Sequence, residues 1–149
     1  MLLAAGASKD AADNGGFTPM HMAALNGLAE ALKMLLAEGA NKDAAANDGF
    51  TPMIIAAQKG HAEVLKMLLA AGANKDAAYN DGATPILMAA AKGQAEVLKM
   101  LLAAGANKDA ARNDGTTPMY VAAQNAQRSC RCSLQRGLTK MRLAMMVPH

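Results

Sequence analysis

The chain has 149 residues, of which 52% are apolar and only 3% aromatic, a balance that favours helices and argues against an all-β fold. It contains no run of about 18 apolar residues, so we expect no membrane insertion. The start, MLLAAGASKD, lacks a basic region followed by a signal-length apolar stretch, which favours an intracellular protein, cytoplasmic or nuclear.

The formal net charge of +3 would by itself suggest an acidic partner such as nucleic acid. Its source is the end of the chain, residues 126–149, which holds no acidic residue and five of the 15 Lys and Arg. The other 10 basic residues are outnumbered by the 12 Asp and Glu, so we predict no nucleic-acid partner. The five basic residues are Arg128, Arg131, Arg136, Lys140 and Arg142.

A repeat with a period of 33 residues organises the rest of the chain. Four glycines at this spacing each precede a Thr-Pro pair by two residues. They are Gly16, Gly49, Gly82 and Gly115. An internal period of this length predicts a solenoid, in which each unit packs against its neighbours.

Residues 46–78 illustrate the elements of one unit. A turn at 47–49 leads to Thr51, which can cap a short first helix that begins at Pro52 and ends near Gly60. The segment AEVLKMLLAA, residues 62–71, predicts a second helix with an apolar face, and Gly72 ends it. Because each helix has an apolar face that only another unit can cover, a single unit should not fold alone.

These units resemble the ankyrin repeat, and TPMH at 18–21 is close to the T-P-L-H signature of that family. The resemblance implies an all-α fold, an α-solenoid of stacked helix-turn-helix repeats with hairpin-like loops. Complete repeats are predicted at 13–45, 46–78 and 79–111, with partial ones at 1–12 and 112–125. It also implies a stabilising hydrogen bond from His21, where the later units have Ile54, Leu87 and Tyr120.

Residues 126–149 abandon the repeat pattern and form a basic tail. With permitted codons, this stretch read one base earlier gives AEVLQMLLAEGANKDAARNDGAT, nearly the sequence of residues 95–117. The methionines at 145 and 146 leave almost no codon freedom, since Met-Met-Val in the other frame forces Asp-Gly. We hypothesise that the tail is a repeat translated out of frame, which sequencing the transcript across codons 120–150 would establish or refute.

The chain carries no recognisable constellation for catalysis, so we predict no enzyme, no small-molecule substrate and no cofactor. Cys130 and Cys132 lack a second ligand pair, and no metal site is expected. His21 and His61 occupy structural positions of the repeat. The recurring Asn-Lys-Asp triplet, as at 41–43, is expected to be a solvated turn.

Positions that vary between units are the candidates for binding a partner protein, because the invariant ones maintain the stack. They lie around the turns and at the ends of the first helices, which the resemblance places on a concave partner-binding surface. The predicted contacts are Asp13, Phe17, Leu25, Asn26, Phe50, Gln58, Lys59, Tyr79, Ala83, Lys92, Arg112 and Thr116.

The sequence therefore predicts a scaffold for protein-protein interaction. An alternative is a non-catalytic regulatory fragment of a larger enzyme or channel, which requires another domain beyond the repeats. A third alternative, a nucleic-acid or membrane binder with a basic tail, requires that residues 126–149 be a real product.

Overall fold

A computed structural model describes residues 9–126, and within this range the chain contains helices and turns but no strand. The all-helical prediction is therefore confirmed for these residues. The helices are α1 Pro19–Asn26, α2 Ala29–Ala37, α3 Pro52–Lys59, α4 Ala62–Ala70, α5 Pro85–Lys92 and α6 Ala95–Ala103, followed by α7 at 118–126. The boundaries proposed for the individual repeats stay predictions.

Local sequence signals define where the first helices begin and end. In α3, the Thr51 hydroxyl accepts a hydrogen bond from the backbone N–H of Ile54, and Pro52 occupies the first helical position. Gly60 ends the helix with φ of 74°, the left-handed conformation that glycine adopts without strain. These features confirm the predicted start and end of this helix.

The helices pack as two neighbouring rows. The first helices α1, α3 and α5 contact one another in sequence, and the second helices α2, α4 and α6 form the adjacent row. Ala56 and Ala57 of α3 are fully buried in the core, as expected of small side chains where two helices pack together. From α4, Leu65 and Leu68 are also fully buried, so each unit depends on its neighbours for much of its core.

The turns between units are hairpin-like and are tied to one another through the backbone. Within one turn, the N–H of Ala46 donates to the carbonyl of Phe50, and the N–H of Asn80 in the next turn donates to the carbonyl of Asp48. Gly49 has a φ of 91°, and a Cβ atom there would lie 2.9 Å from Oδ1 of Asn80. The glycine is therefore required by both backbone conformation and the approach of the next unit.

Part of two sequence predictions falls outside the described residues: the first eight residues of the partial repeat at 1–12, and residues 127–149 of the proposed out-of-frame tail. In the part of the chain that the structure describes, no helix is long and apolar enough to cross a bilayer.

Candidate functional site

Several of the predicted contact residues lie at the carboxyl ends of consecutive first helices. Leu25 and Asn26 end α1, Gln58 and Lys59 end α3, and Lys92 ends α5. All are exposed except Gln58, which is half-buried. Because α1, α3 and α5 are neighbours, these ends form a row across the stack, which we call the helix-end row.

Aromatic side chains lie next to the turns that precede the first helices. Phe50 and Tyr79 come from successive turns and stack with ring centroids 4.5 Å apart and planes inclined by 15°. Phe17 instead meets the buried ring of His21 edge-on, at 5.3 Å. All three predicted aromatic contacts are half-buried, so each both packs within the protein and presents an edge to solvent.

Tyr79 also belongs to a polar cluster that joins two units. Its hydroxyl donates to Oδ2 of Asp81 at 2.5 Å, and the Arg112 guanidinium forms an ion pair with the same carboxylate oxygen. Among residues 9–126, Arg112 is the one Lys or Arg whose side chain lies within ion-pair distance of an Asp or Glu. The cluster fixes Arg112 against the turn of the preceding unit.

The cluster shifts the ionisation of its members. The hydrogen bond to Asp81 raises the pKa of Tyr79, since losing the proton would break it. Burial by itself would raise the pKa of Asp81, but hydrogen bonds from Tyr79, the Ala83 N–H and Arg112 outweigh it and lower that pKa. Asp81 is therefore an anion at neutral pH, and it was absent from the predicted contacts.

Two of the predicted contacts, Ala83 and Asp13, have structural roles that change their interpretation. The side chain of Ala83 is fully buried and packs in a cluster with Ile54, Leu87 and Met88, so it cannot contact a partner and its assignment is corrected. Asp13 is exposed, but its Oδ1 accepts the N–H groups of Gly15 and Phe17 within its own turn. Thr116 is half-buried at the corresponding turn after α6.

The Asn-Lys-Asp triplets are more than solvated turns. Oδ1 of Asp43 accepts the backbone N–H of Asn74 in the next unit at 2.7 Å, and Asp76 does the same for Asn107. A charged acceptor makes such bonds stronger than neutral ones. Asp43 and Asp76 are exposed, as expected of a solvated turn, and each also joins its unit to the next through this hydrogen bond, which the sequence prediction did not include.

The residues that precede the second helices also reach back to the previous unit. Nε2 of His61 lies 3.1 Å from the carbonyl oxygen of Leu25, and Nε2 of Gln94 donates to the carbonyl of Gln58 at 3.2 Å. Nδ2 of Asn125, which lies within α7 at the repeat position of Lys59 and Lys92, likewise donates to the carbonyl of Ala90 in the preceding unit. The carbonyls at the ends of the first helices are thereby satisfied, and the helix-end row is held in position.

His21 confirms the hydrogen bonding that the family resemblance implied. Its Nδ1 accepts the backbone N–H of Thr18 at 3.1 Å, so the proton resides on Nε2, which donates to the carbonyl of Phe50 at 2.8 Å. The side chain is fully buried, and burial lowers its pKa. His21 is therefore a neutral tie between the first two units.

Nothing in the described part of the chain suggests bound-metal chemistry, since residues 9–126 contain no group of three His, Cys, Asp or Glu side chains placed to hold an ion. The candidate surface instead combines exposed polar and basic side chains with half-buried aromatic ones. Such a combination is typical of protein recognition.

Comparison with known proteins agrees with this architecture. No curated protein matches the chain. The family described as ankyrin repeats, in three copies, matches residues 1–79 and 72–138. Ankyrin repeats are generally modules of protein-protein interaction, and the family is typically non-catalytic. The matched residues cover most of the sequence, and the chain therefore belongs to the ankyrin-repeat family.

Proposed function

We propose that the chain is a protein-binding scaffold whose partner lies along the helix-end row and the adjacent turns. The observation that carries this proposal is the exposure of residues that differ between otherwise equivalent units. Asn26, Lys59 and Lys92 share one repeat position, which is exposed in each of these three units and changes from an amide in α1 to a lysine in α3 and α5, and the exposed Leu25 lies one position before it. A change of side chain at these exposed positions alters the surface that a partner would meet.

The chemistry of these residues suggests which groups of a partner would contact them. Lys59 and Lys92 are exposed cations at the ends of neighbouring first helices. Carboxylates of a partner would pair with them, and desolvation in an interface would strengthen the pairing. The stacked rings of Phe50 and Tyr79 would supply apolar contact area that is already ordered before binding.

Site-specific photo-crosslinking tests this proposal even when the partner has not been identified. A benzophenone amino acid would replace Lys59 or Lys92 in one set of proteins, and Lys66 or Lys99 in a matched set. All four lysines are exposed, but the second pair lies on the second helices α4 and α6. We expect discrete protein adducts in cell extract from the first set alone.

Equal crosslinking from both sets would contradict the proposed surface. A second test reverses the charge of both Lys59 and Lys92 by replacing them with Glu, while the benzophenone amino acid is placed at Asn26. If partner carboxylates contact the lysines, the recovered adduct should fall by at least about tenfold. The matched Lys66→Glu and Lys99→Glu protein should retain that adduct.

A further inference from the structure

Asp81 binds two variable residues in addition to its own turn. Asp48 and Asp81 lie at the same repeat position, and one carboxylate oxygen of each accepts the backbone N–H two residues later, at 3.1 Å and 2.9 Å. The second oxygen of Asp81 accepts two further donors, the Tyr79 hydroxyl and the Arg112 guanidinium. Asp81 therefore joins its own turn to the turn of the following unit.

The variable residues explain why this cluster forms at Asp81. The equivalent of Tyr79 in the preceding unit is Ala46, which has no hydroxyl that could donate to Asp48. Arg112 comes from the turn that follows Asp81. Its equivalent one unit earlier is Tyr79, whose hydroxyl bonds to Asp81 and not to Asp48. The cluster thus depends on residues that differ between units.

The cluster extends to Phe50, whose ring stacks on that of Tyr79 with a centroid distance of 4.5 Å. We call Phe50, Tyr79, Asp81 and Arg112 the turn patch. The side chains of Asp81 and Arg112 are 30% and 36% exposed, so both charges can act on a bound partner. Because these two charges are opposite and in contact, the turn patch has no net charge.

The helix-end row has a different electrostatic character. Lys59 and Lys92 are exposed, and the helices α3 and α5 that they end contain no Asp or Glu. No acid among residues 9–126 lies within ion-pair distance of either ammonium group. The row therefore offers cations to a partner, whereas the cation of the turn patch is already paired.

We propose that Asp81 determines the specificity of the turn patch: it neutralises Arg112 and fixes Tyr79, so the patch receives an uncharged, apolar side chain of the partner protein. A partner carboxylate that approached Arg112 would also meet Asp81, and like charges brought together in an interface are costly. The two ordered rings instead offer apolar area at a small entropic cost. The inference rests on the proposed function and adds that the partner carries an apolar anchor for the turn patch and separate carboxylates for the helix-end row.

The arrangement of the turn patch can be tested without a partner. The chain has two tyrosines, so in a Tyr120→Phe protein the ultraviolet absorbance reports the ionisation of Tyr79 alone. The hydrogen bond to Asp81 raises the pKa of Tyr79. Asp81→Asn should therefore return this pKa towards its ordinary value of 10.0, and Asp48→Asn should change it less. Equal effects of the two substitutions would overturn the proposal, because the hydrogen bond would then be absent in solution.

Photo-crosslinking at Asn80 tests the specificity itself. This exposed residue lies between Tyr79 and Asp81, so a benzophenone amino acid there samples the turn patch. Asp81→Asn leaves Arg112 unpaired and Arg112→Gln leaves Asp81 unpaired. Each substitution should reduce the adduct recovered from cell extract by at least about tenfold. The double variant is neutral again and should recover the adduct to within about threefold of the wild type.

Recovery in the double variant separates charge balance from a structural role of the ion pair, because the double variant lacks the ion pair just as the single variants do. Asp48→Asn is the control, since it changes the net charge by the same amount as Asp81→Asn but leaves the cluster intact. It should retain the adduct. Single variants that keep the wild-type adduct, or a double variant that recovers none of it, would show the proposal to be wrong.

Crosslinking at Lys59 and Lys92 distinguishes this inference from the proposed function. Adducts at the lysines together with an Asn80 adduct that no substitution changes would exclude the role of Asp81 and leave the scaffold function in place. Absence of adducts at all three positions would exclude both. Urea titration followed by circular dichroism checks folding, and Arg112→Gln alone carries the test if Asp81→Asn proves unstable.

Discussion

The starts of α1 and α5 share the same Thr-Pro sequence but are stabilised differently. At α1, the Thr18 backbone and hydroxyl both lie within hydrogen-bond distance of Nδ1 of His21. At α5, the equivalent of the histidine is Leu87, which is buried in an apolar cluster with Ile54 and Met88. The hydroxyl of Thr84 is also buried and has no hydrogen-bond partner among the described residues.

The two helix starts show that one repeat position can hold neighbouring units together by either of two physical means. His21 links its unit to the next through a directional bond to the carbonyl of Phe50. Leu87 links neighbouring units by burying apolar area. It leaves the Thr84 hydroxyl without a hydrogen-bond partner, which normally lowers the free energy of unfolding. Substitutions with progressively smaller expected effects on stability can separate the two means.

Leu87→Ala should produce the largest loss of stability. Leu87 is 2% exposed, and truncating a buried leucine typically costs about 2–5 kcal/mol because transfer free energy is lost and a cavity remains. Urea unfolding followed by circular dichroism measures the change. A loss no greater than that of the exposed control Leu102→Ala would show that the apolar cluster contributes little.

His21→Leu should cost about 1–3 kcal/mol, because the Thr18 N–H then loses its partner while buried surface is retained. The Phe50 carbonyl keeps the N–H of Ala46 as a donor, which limits the loss. Native-state hydrogen exchange should also show faster exchange of the Thr18 amide. If His21→Leu were as stable as the wild type, the hydrogen bonds of His21 would be dispensable and packing alone would hold the first units.

Thr51→Ala and Thr84→Val form a matched pair with opposite expected signs. Thr51 caps α3 through its hydroxyl, so its loss should cost about 1 kcal/mol. Thr84→Val replaces an unpaired buried hydroxyl with a methyl group, so it should be neutral or stabilising by up to about 1 kcal/mol. Urea midpoints of the two variants check this, and equal losses would mean that Thr84 caps α5 in solution.

Acid should produce a smaller, specific loss of stability through His21. Burial lowers the pKa of His21, so between its folded pKa and the unfolded value of 6.5 the unfolded chain binds more protons than the folded one. Stability should therefore be complete above pH 6.5 and fall as the pH decreases from there towards the folded pKa. Urea midpoints at pH 7 and pH 5 measure this.

The His21→Leu variant supplies the control for the pH experiment, because the other titrating groups remain in both proteins. The difference in stability between pH 7 and pH 5 should be smaller in that variant than in the wild type. An identical pH dependence in wild type and His21→Leu would assign the effect to other groups.

Much of the fold followed from local signals in the sequence. Thr51, Pro52 and Gly60 predict the start and end of α3 because a cap, a fixed φ and a left-handed residue act over a few bonds. The period of the repeat then predicts stacked helices. For the candidate surface, Lys59 and Lys92 are exposed, as a partner contact requires, and their role in binding stays a prediction.

Other features depend on the neighbouring unit. Ala83 varies between units as a surface residue would, yet it is buried in a cluster against which Phe50 and Tyr79 pack. Asp43 was predicted to be solvated, and Asp81 was not among the predicted contacts. Asp43 binds the backbone of the next unit, and Asp81 binds Arg112. These contacts join residues about one repeat apart, and no local pattern specifies their geometry.

The sequence by itself therefore determined the helices, where they begin and end, and the repeat that stacks them, because these depend on short-range backbone preferences and on the spacing of apolar residues. Only the tertiary structure decided which variable side chains are exposed and which link adjacent units. The physical reason is that burial and hydrogen bonding at the turns depend on the side chains that two successive units place against each other.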